Sequence, residues 1–244
     1  MNILLSARDK FLTAFGDLKV FPYPMFILYD PGSYAVKGED VRQLIGVMRD
    51  GDILIRGFAR YLDGYFIPGY FSHVGLYLCR VPRPGTSEDI PSEIAASYKE
   101  GEQMVIHSMA EGVFMEDLLS FARCDYLVVM RPKITYLATD QFEFNKVYHI
   151  ALQNLGKPYD FGFNFLVHDS LSCTEFVLDC YQKYLKNLGV FVKSHKFLFI
   201  QRDILIPDDF ITDRFDIAWM SKSTDRERIA RIVAKNKMDY QNTL

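Results

Sequence analysis

The sequence predicts an α+β protein in which antiparallel strands pack on helices. Three observations carry this. Short alternating segments occupy the middle of the chain, at 72–80, 104–108 and 125–131. The two strongest helical periodicities come later, at 140–155 and 173–188. No regular strand–helix–strand alternation runs through the chain, as a doubly wound parallel sheet would require. With 244 residues, 49% of them hydrophobic, the chain can bury one sizeable core.

Residues 3–15 read as a short amphipathic helix through Leu4, Leu5, Phe11, Leu12 and Phe15. Residues 39–49 read as another, through Val41, Leu44, Ile45 and Met48. Asp50-Gly51-Asp52 ends it as a turn, and Ile53-Leu54-Ile55 starts a strand. Residues 60–71 hold five aromatics broken by Gly64, Pro68 and Gly69, which argues for a loop. Ser72–Arg80 is a strand with Val74, Leu76 and Leu78 on one face and His73, Gly75 and Tyr77 on the other. Residues 81–103, with three prolines and several charges, read as a surface excursion. A strand over 104–108, a short helix over 115–122 and a strand over 125–131 follow.

The helix over 140–155 has Thr139 or Asp140 to cap it and Gly156 to end it. Lys157-Pro158-Tyr159-Asp160 is a turn, and Asp160 is placed to anchor the loop before the next helix. Residues 173–188 carry Cys173, Phe176, Val177, Cys180, Tyr181, Tyr184 and Leu185 at helical spacing. Short strands are expected over 197–218 and a polar helix over 224–236, with the last eight residues loose.

Composition excludes several functions. The 28 basic and 31 acidic residues give a net charge of −3, which offers no basic surface for nucleic acid. Four cysteines without a C-x-x-C pair form neither a zinc ribbon nor a thioredoxin motif, and they suit a reducing compartment. Charge enters the first ten residues too early for a signal peptide. No run approaches the roughly 20 apolar residues of a membrane span. The expectation is a soluble, cytoplasmic protein without a transmembrane segment; peripheral membrane contact is left open.

Chemistry concentrates at Ser172-Cys173-Thr174-Glu175, which has the form of a capping box. It places Cys173 in the first helical turn, where unpaired backbone N–H groups and the helix dipole favour thiolate. A thiolate is the attacking species of acyl transfer. His73 stands on a strand face shared with Gly75, which leaves room for a close approach. His107 lies on a second short strand, and a polar group that orients the base imidazole would complete a triad. Tyr159 offers a phenol that could donate to an oxyanion. Glu175 is assigned to capping and Asp52 to its turn; His149, His168 and His195 read as structural or surface residues.

These motifs resemble the permuted papain-like hydrolases of the YiiX/YaeF type, related to NlpC-type peptidases and lecithin retinol acyltransferase. The resemblance spans most of residues 48–211. It rests on Gly51-Asp52-Ile53-Leu54, on Phe71 to Leu78, and on Val105-Ile106-His107-Ser108 followed by Gly112-Val113. Asp125 to Pro132, Gly156 to Phe161 and Ser172 to Val177 complete it. It implies a circularly permuted papain-like, NlpC-like fold with an antiparallel sheet or barrel packed on helices. It also implies Cys173 as nucleophile and His73 as base, with histidine before cysteine in the chain. The third position, often glutamate in YiiX-like members, is His107 here, as in the acyltransferase branch.

The expected organisation is a helical extension over 1–45 packed on the core, a catalytic domain over 46–220, and a C-terminal helix and tail over 221–244, the first and last lying outside the resemblance. The implied function is a cysteine hydrolase or acyltransferase working through an acyl-enzyme on a small-molecule, peptide or lipid acyl substrate, without metal or organic cofactor. Two rivals stand beside it. His73, His107 and Cys173 would make a zinc set if they converged suitably, and the same pocket could serve an inactive ligand-binding module.

Overall fold

The structure is a computed structural model describing residues 18–22, 25–29, 34–59, 68–80, 99–137, 144–165, 168–197 and 200–243. The expected helix at 3–15, the aromatic run at 60–67, most of the 81–103 excursion and the start of the helix at 140 lie outside the described residues. The chain divides into two compact units, Met1–Ala35 and Val36–Leu244. The first contains an antiparallel hairpin of β1 (Leu18–Pro22) and β2 (Met25–Tyr29).

The second unit opens with α1 (Gly38–Val47) and continues through β3 (Ile53–Gly57), β4 (His73–Arg80), β5 (Gln103–Met109) and β6 (Gly112–Asp117). A single helical turn, α2 (Leu118–Phe121), precedes β7 (Tyr126–Pro132). Helices α3 (Phe144–Gln153) and α4 (Cys173–Leu185) are followed by β8 (Lys193–Phe197), β9 (Ile200–Ile204), β10 (Phe215–Met220) and α5 (Arg226–Gln241). Six strands form one antiparallel sheet in the order β10-β7-β3-β4-β5-β6, and β8 and β9 form a separate pair. The α+β expectation of an antiparallel sheet packed on helices therefore holds. Among the described residues no helix is long and apolar enough to cross a membrane.

Both faces of the sheet are covered. Ile53, Ile55, Val74, Leu76, Leu78 and Ile106 pack against Val147 and Ala151 of α3 and Phe176, Val177 and Cys180 of α4. Leu54, Tyr77, Val105, Leu127 and Val129 pack on the other side against Leu44 of α1 and Leu118 and Phe121 of α2. Each such buried side chain contributes roughly 1.5–3 kcal/mol relative to exposure. Double coverage explains why β3 is buried at every position instead of alternating.

Three expectations change. Residues 112–117 are a strand, and helix occupies only Leu118–Phe121 of the stretch read as a helix over 115–122. The two-residue turn at 110–111 returns the chain as a hairpin, so Val113 and Met115 face α3 and α4 while Phe114 and Glu116 face α2. The strands expected over 197–218 begin earlier, at Lys193, and only β10 joins the main sheet. Finally, α5 runs to Gln241, so most of the tail expected to be loose is helical.

The turn before β3 does more than reverse the chain. Asp52 accepts the Arg49 backbone N–H at 2.8 Å, as a turn residue should. It also accepts Arg131 Nε at 2.8 Å and Nη2 at 2.7 Å, a bidentate pair that ties the turn to β7.

Candidate active site

Cys173 is the first residue of α4, and the capping box read from sequence is present. The Glu175 backbone N–H donates to Ser172 Oγ at 3.4 Å, and the Ser172 N–H donates to Glu175 Oε2 at 2.7 Å. The thiol is buried and meets backbone N–H groups of Val74, Thr174 and Cys173 itself. Those dipoles and the Arg56 charge pull its pKa down, but burial outweighs them and pushes it up to about 11. The helix start thus acts in the expected direction on the thiol, and burial outweighs it. Burial lifts Cys124 to about 12 and Cys180 well above the ordinary thiol range.

The contact with Val74 brings the thiol to the residue beside His73. It falls at a particular place in the sheet. Over His73–Gly75, β4 is paired with β3, while its pairing with β5 starts only at Leu76. The start of α4 therefore meets the sheet where β4 and β5 have not yet joined. Ser108 of β5 holds this junction by donating its hydroxyl to the Leu171 carbonyl, two residues before Cys173.

His73 and His107 come together directly, with His73 Nε2 2.8 Å from His107 Nδ1. Both rings are buried. Desolvation, then Arg56, then His107 hold the His73 pKa well below 6.5. Desolvation also lowers that of His107, against the opposing pull of Glu116. The room expected beside Gly75 is filled by Phe121: a Cβ there would lie 2.7 Å from its ring. Phe121 also stands against both imidazoles, with centroids 5.7 Å from His73 and 5.3 Å from His107.

Two charged residues of the site escaped the sequence reading. Glu116 Oε1 lies 3.0 Å from His107 Nε2, an ion-pair distance with the ring N–H off the hydrogen-bond line. Arg56 is buried beneath the pair, its Nη1 3.6 Å from the same carboxylate oxygen and donating to the Phe121 carbonyl at 2.8 Å. Its guanidinium also stacks 4.2 Å from the Phe121 ring. A helical reading of 115–122 hid Glu116. Val113-Phe114-Met115-Glu116 carries no alternation that separates strand from helix; pairing with β5 does.

Burial, with smaller contributions from Cys173, Glu175 and Asp160, raises the Tyr159 phenol pKa so that it keeps its proton. Asp160 anchors the loop as expected, accepting the Gly162 N–H at 2.7 Å and the Asn164 N–H at 2.6 Å. The loop carries an aromatic cluster. Tyr159 meets Phe161 at 4.8 Å and Phe163 at 6.4 Å, with Phe161 71% exposed and Phe163 at a positive φ of 51°. A bulky residue in that region costs about 1–2 kcal/mol.

The remaining histidines stand apart from this cluster. His195 Nε2 is 2.8 Å from buried Asp209, His168 lies 3.7 Å from Asp179, and His149 is exposed on α3. His73 and His107 spend facing nitrogens on each other, and among the described residues no three His, Cys, Asp or Glu side chains are arranged to hold a metal ion.

A family profile described as permuted papain-like amidase enzyme, YaeF/YiiX, C92 family, matches residues 47–214. The chain belongs to this family. As a permuted papain-like amidase relative it has a hydrolase role of the amidase or peptidase kind. Among solved structures, one similar to it is the crystal structure of metalloprotein yiiX from Escherichia coli O157:H7. That match has 21% identity, covers 62% of this chain and 73% of the other, and has a TM-score of 0.42. No curated protein matches.

Proposed function

We propose that this family member is a cysteine amidase in which Cys173 attacks an amide carbonyl and His73 is the general base. The observation that carries the reading is the buried 2.8 Å contact between His73 Nε2 and His107 Nδ1, one residue from the Val74 N–H that meets the Cys173 thiol.

With Nε2 engaged, His73 Nδ1 is the ring nitrogen left to take the thiol proton. Burial keeps thiol and imidazole both neutral at rest, which favours proton transfer concerted with attack over a standing thiolate–imidazolium pair. The sulfur then bonds to the carbonyl carbon and the carbonyl oxygen becomes an oxyanion. The backbone N–H of Cys173 at the helix start and the protonated Tyr159 phenol are its donors. His73 returns its proton to the amine as the C–N bond breaks, leaving an acyl-enzyme. Water, deprotonated by His73, attacks the thioester, and the acid leaves with the thiol restored. His107 orients His73. The aromatic loop at Tyr159, Phe161 and Phe163 favours a substrate with an apolar group next to the scissile bond.

Iodoacetamide labelling followed by intact mass tests the assignment. One adduct is expected, lost in Cys173→Ala, retained in Cys180→Ala, and formed at least tenfold more slowly in His73→Ala. Equal labelling in all variants would overturn the nucleophile and base roles.

A further inference from the structure

We propose that Glu116 is a positioning residue that sets the tautomer of His73 from two rings away, through His107. The proposal rests on the reading of Cys173 and His73 as nucleophile and base.

Strand register puts the carboxylate where it must be. Phe114 pairs with His107 and Glu116 with Val105, so Glu116 stands diagonally from His107 on the same face of the sheet. His107 Nε2 is wholly buried, and among the described residues Glu116 Oε1 stands 3.0 Å from it, close enough to pair although the ring N–H does not point straight at it. A buried ring N–H left without an acceptor costs about 1–3 kcal/mol. Arg56 holds the carboxylate from below, and its own position is fixed by the Phe121 carbonyl and by Met109 Sδ at 3.3 Å.

The consequence follows from counting protons. A neutral imidazole carries one N–H, and the hydrogen bond at one nitrogen decides what the other does. With its proton on Nε2 toward Glu116, His107 presents a lone pair at Nδ1. His73 must then donate from Nε2, which leaves its Nδ1 lone pair for the Cys173 proton. Move the His107 proton to Nδ1 and the whole set inverts: His73 accepts at Nε2, carries its proton on Nδ1, and cannot serve as base. The charges facing His107 are Arg56 from β3, Glu111 from the hairpin turn and Glu116 from β6, with His73 of β4 across the contact. Those facing His73 are Arg56 and His107. Among the described residues, the charged group that meets His107 Nε2 is Glu116, at 3.0 Å.

The test combines imidazole 15N NMR with the rate of Cys173 alkylation by iodoacetamide, on the full chain. In wild type both His73 and His107 are expected as Nε2–H tautomers. Glu116→Leu should shift His73 toward Nδ1–H and slow alkylation about 10–100-fold. Glu116→Gln, which keeps an acceptor oxygen, should retain the wild-type tautomers and stay within about threefold in rate. An Nδ1–H tautomer of His107 in wild type overturns the proposal, as does an unchanged tautomer and rate in a folded Glu116→Leu. If Glu116→Leu does not fold, wild type and Glu116→Gln decide: Nε2–H tautomers in both support the relay, and any other result overturns it. Alkylation indifferent to His73→Ala would instead sink the base assignment, while the NMR arm still reads the Glu116 effect.

Discussion

His73 is enclosed, with Arg56 and His107 as its charged neighbours, and all three influences push its imidazolium well below the ordinary pKa of 6.5. If His73 is the base, as proposed, it must be neutral to accept a proton, so activity is lost as pH falls through that depressed value. The acid limb of Cys173 alkylation, and of amide turnover once a substrate is in hand, is therefore expected below pH 6.5. A half-maximal point at or above 6.5 would show that the ring is not desolvated as the fold places it. Linkage gives stability the same sign. The unfolded chain binds protons at His73 from about 6.5 downward, the folded one only further down, so the contribution of this residue shrinks as pH drops below 6.5. At the residue scale, the sequence singled out Cys173 at a helix start and the strand pair His73 and His107, which the structure brings into contact, because each sits in a short motif. It could not give the protonation state of the thiol. That balance depends on how completely α4 and the sheet bury the sulfur, which the capping-box pattern does not encode.

At the scale of elements, the junction between β6 and the turn before Tyr159 is built around one glycine. Gly112 has a φ of +100°, and a Cβ there would lie 2.4 Å from the Lys157 carbonyl oxygen. The close approach lets the Val113 N–H donate to Lys157 O and the Gly156 N–H donate to Val113 O, both at 2.8 Å. Gly156, at φ +81°, has open space where its Cβ would be. The pair makes a controlled comparison. Gly156→Ala should cost about 1–2 kcal/mol, the penalty of a left-handed residue alone. Gly112→Ala should add roughly 1–3 kcal/mol, because a backbone oxygen cannot swing aside as a side chain can. Urea unfolding of both variants checks this; equal losses would mean that the junction yields freely. Strands β3, β4, β5 and β7 and helices α1, α3 and α4 were readable from periodicity, since each presents a distinct apolar stripe or run. β6 was not. Its Met115-Glu116-Asp117-Leu118-Leu119 tail fits a helical turn as well as a strand, and only pairing with β5 decides between them.

Across the whole molecule, the start of the His73 strand is held from the far end of the chain. Asp208, in the helical turn Pro207–Phe210, accepts the backbone N–H of Tyr70 at 2.8 Å and of Phe71 at 2.9 Å, two residues before His73. That turn is gripped in its turn by α5. Asn236 is buried and donates from Nδ2 to the carbonyls of Asp208 and Ile211, both at 2.9 Å, while its Oδ1 accepts Lys193 Nζ at 2.7 Å. The family match ends at residue 214, yet β10 completes the sheet and α5 braces the turn that positions β4. Asn236→Ala strands the buried Ile211 carbonyl and removes a partner of Lys193, while the Asp208 carbonyl keeps the Ile211 N–H at 3.1 Å. An unsatisfied buried group costs about 1–3 kcal/mol, so a loss of about 1–3 kcal/mol is expected in denaturant unfolding. Lys193 keeps Asp209 and Asp239, each at 3.2 Å, which limits the damage on its side. An exposed neighbour on the same helix, Lys235→Ala, should cost less than about 0.5 kcal/mol. A comparable loss in both variants would show that α5 contributes through its helicity alone. A large loss confined to Asn236→Ala would place the C-terminal helix in the chain of support that runs through Asp208 to His73.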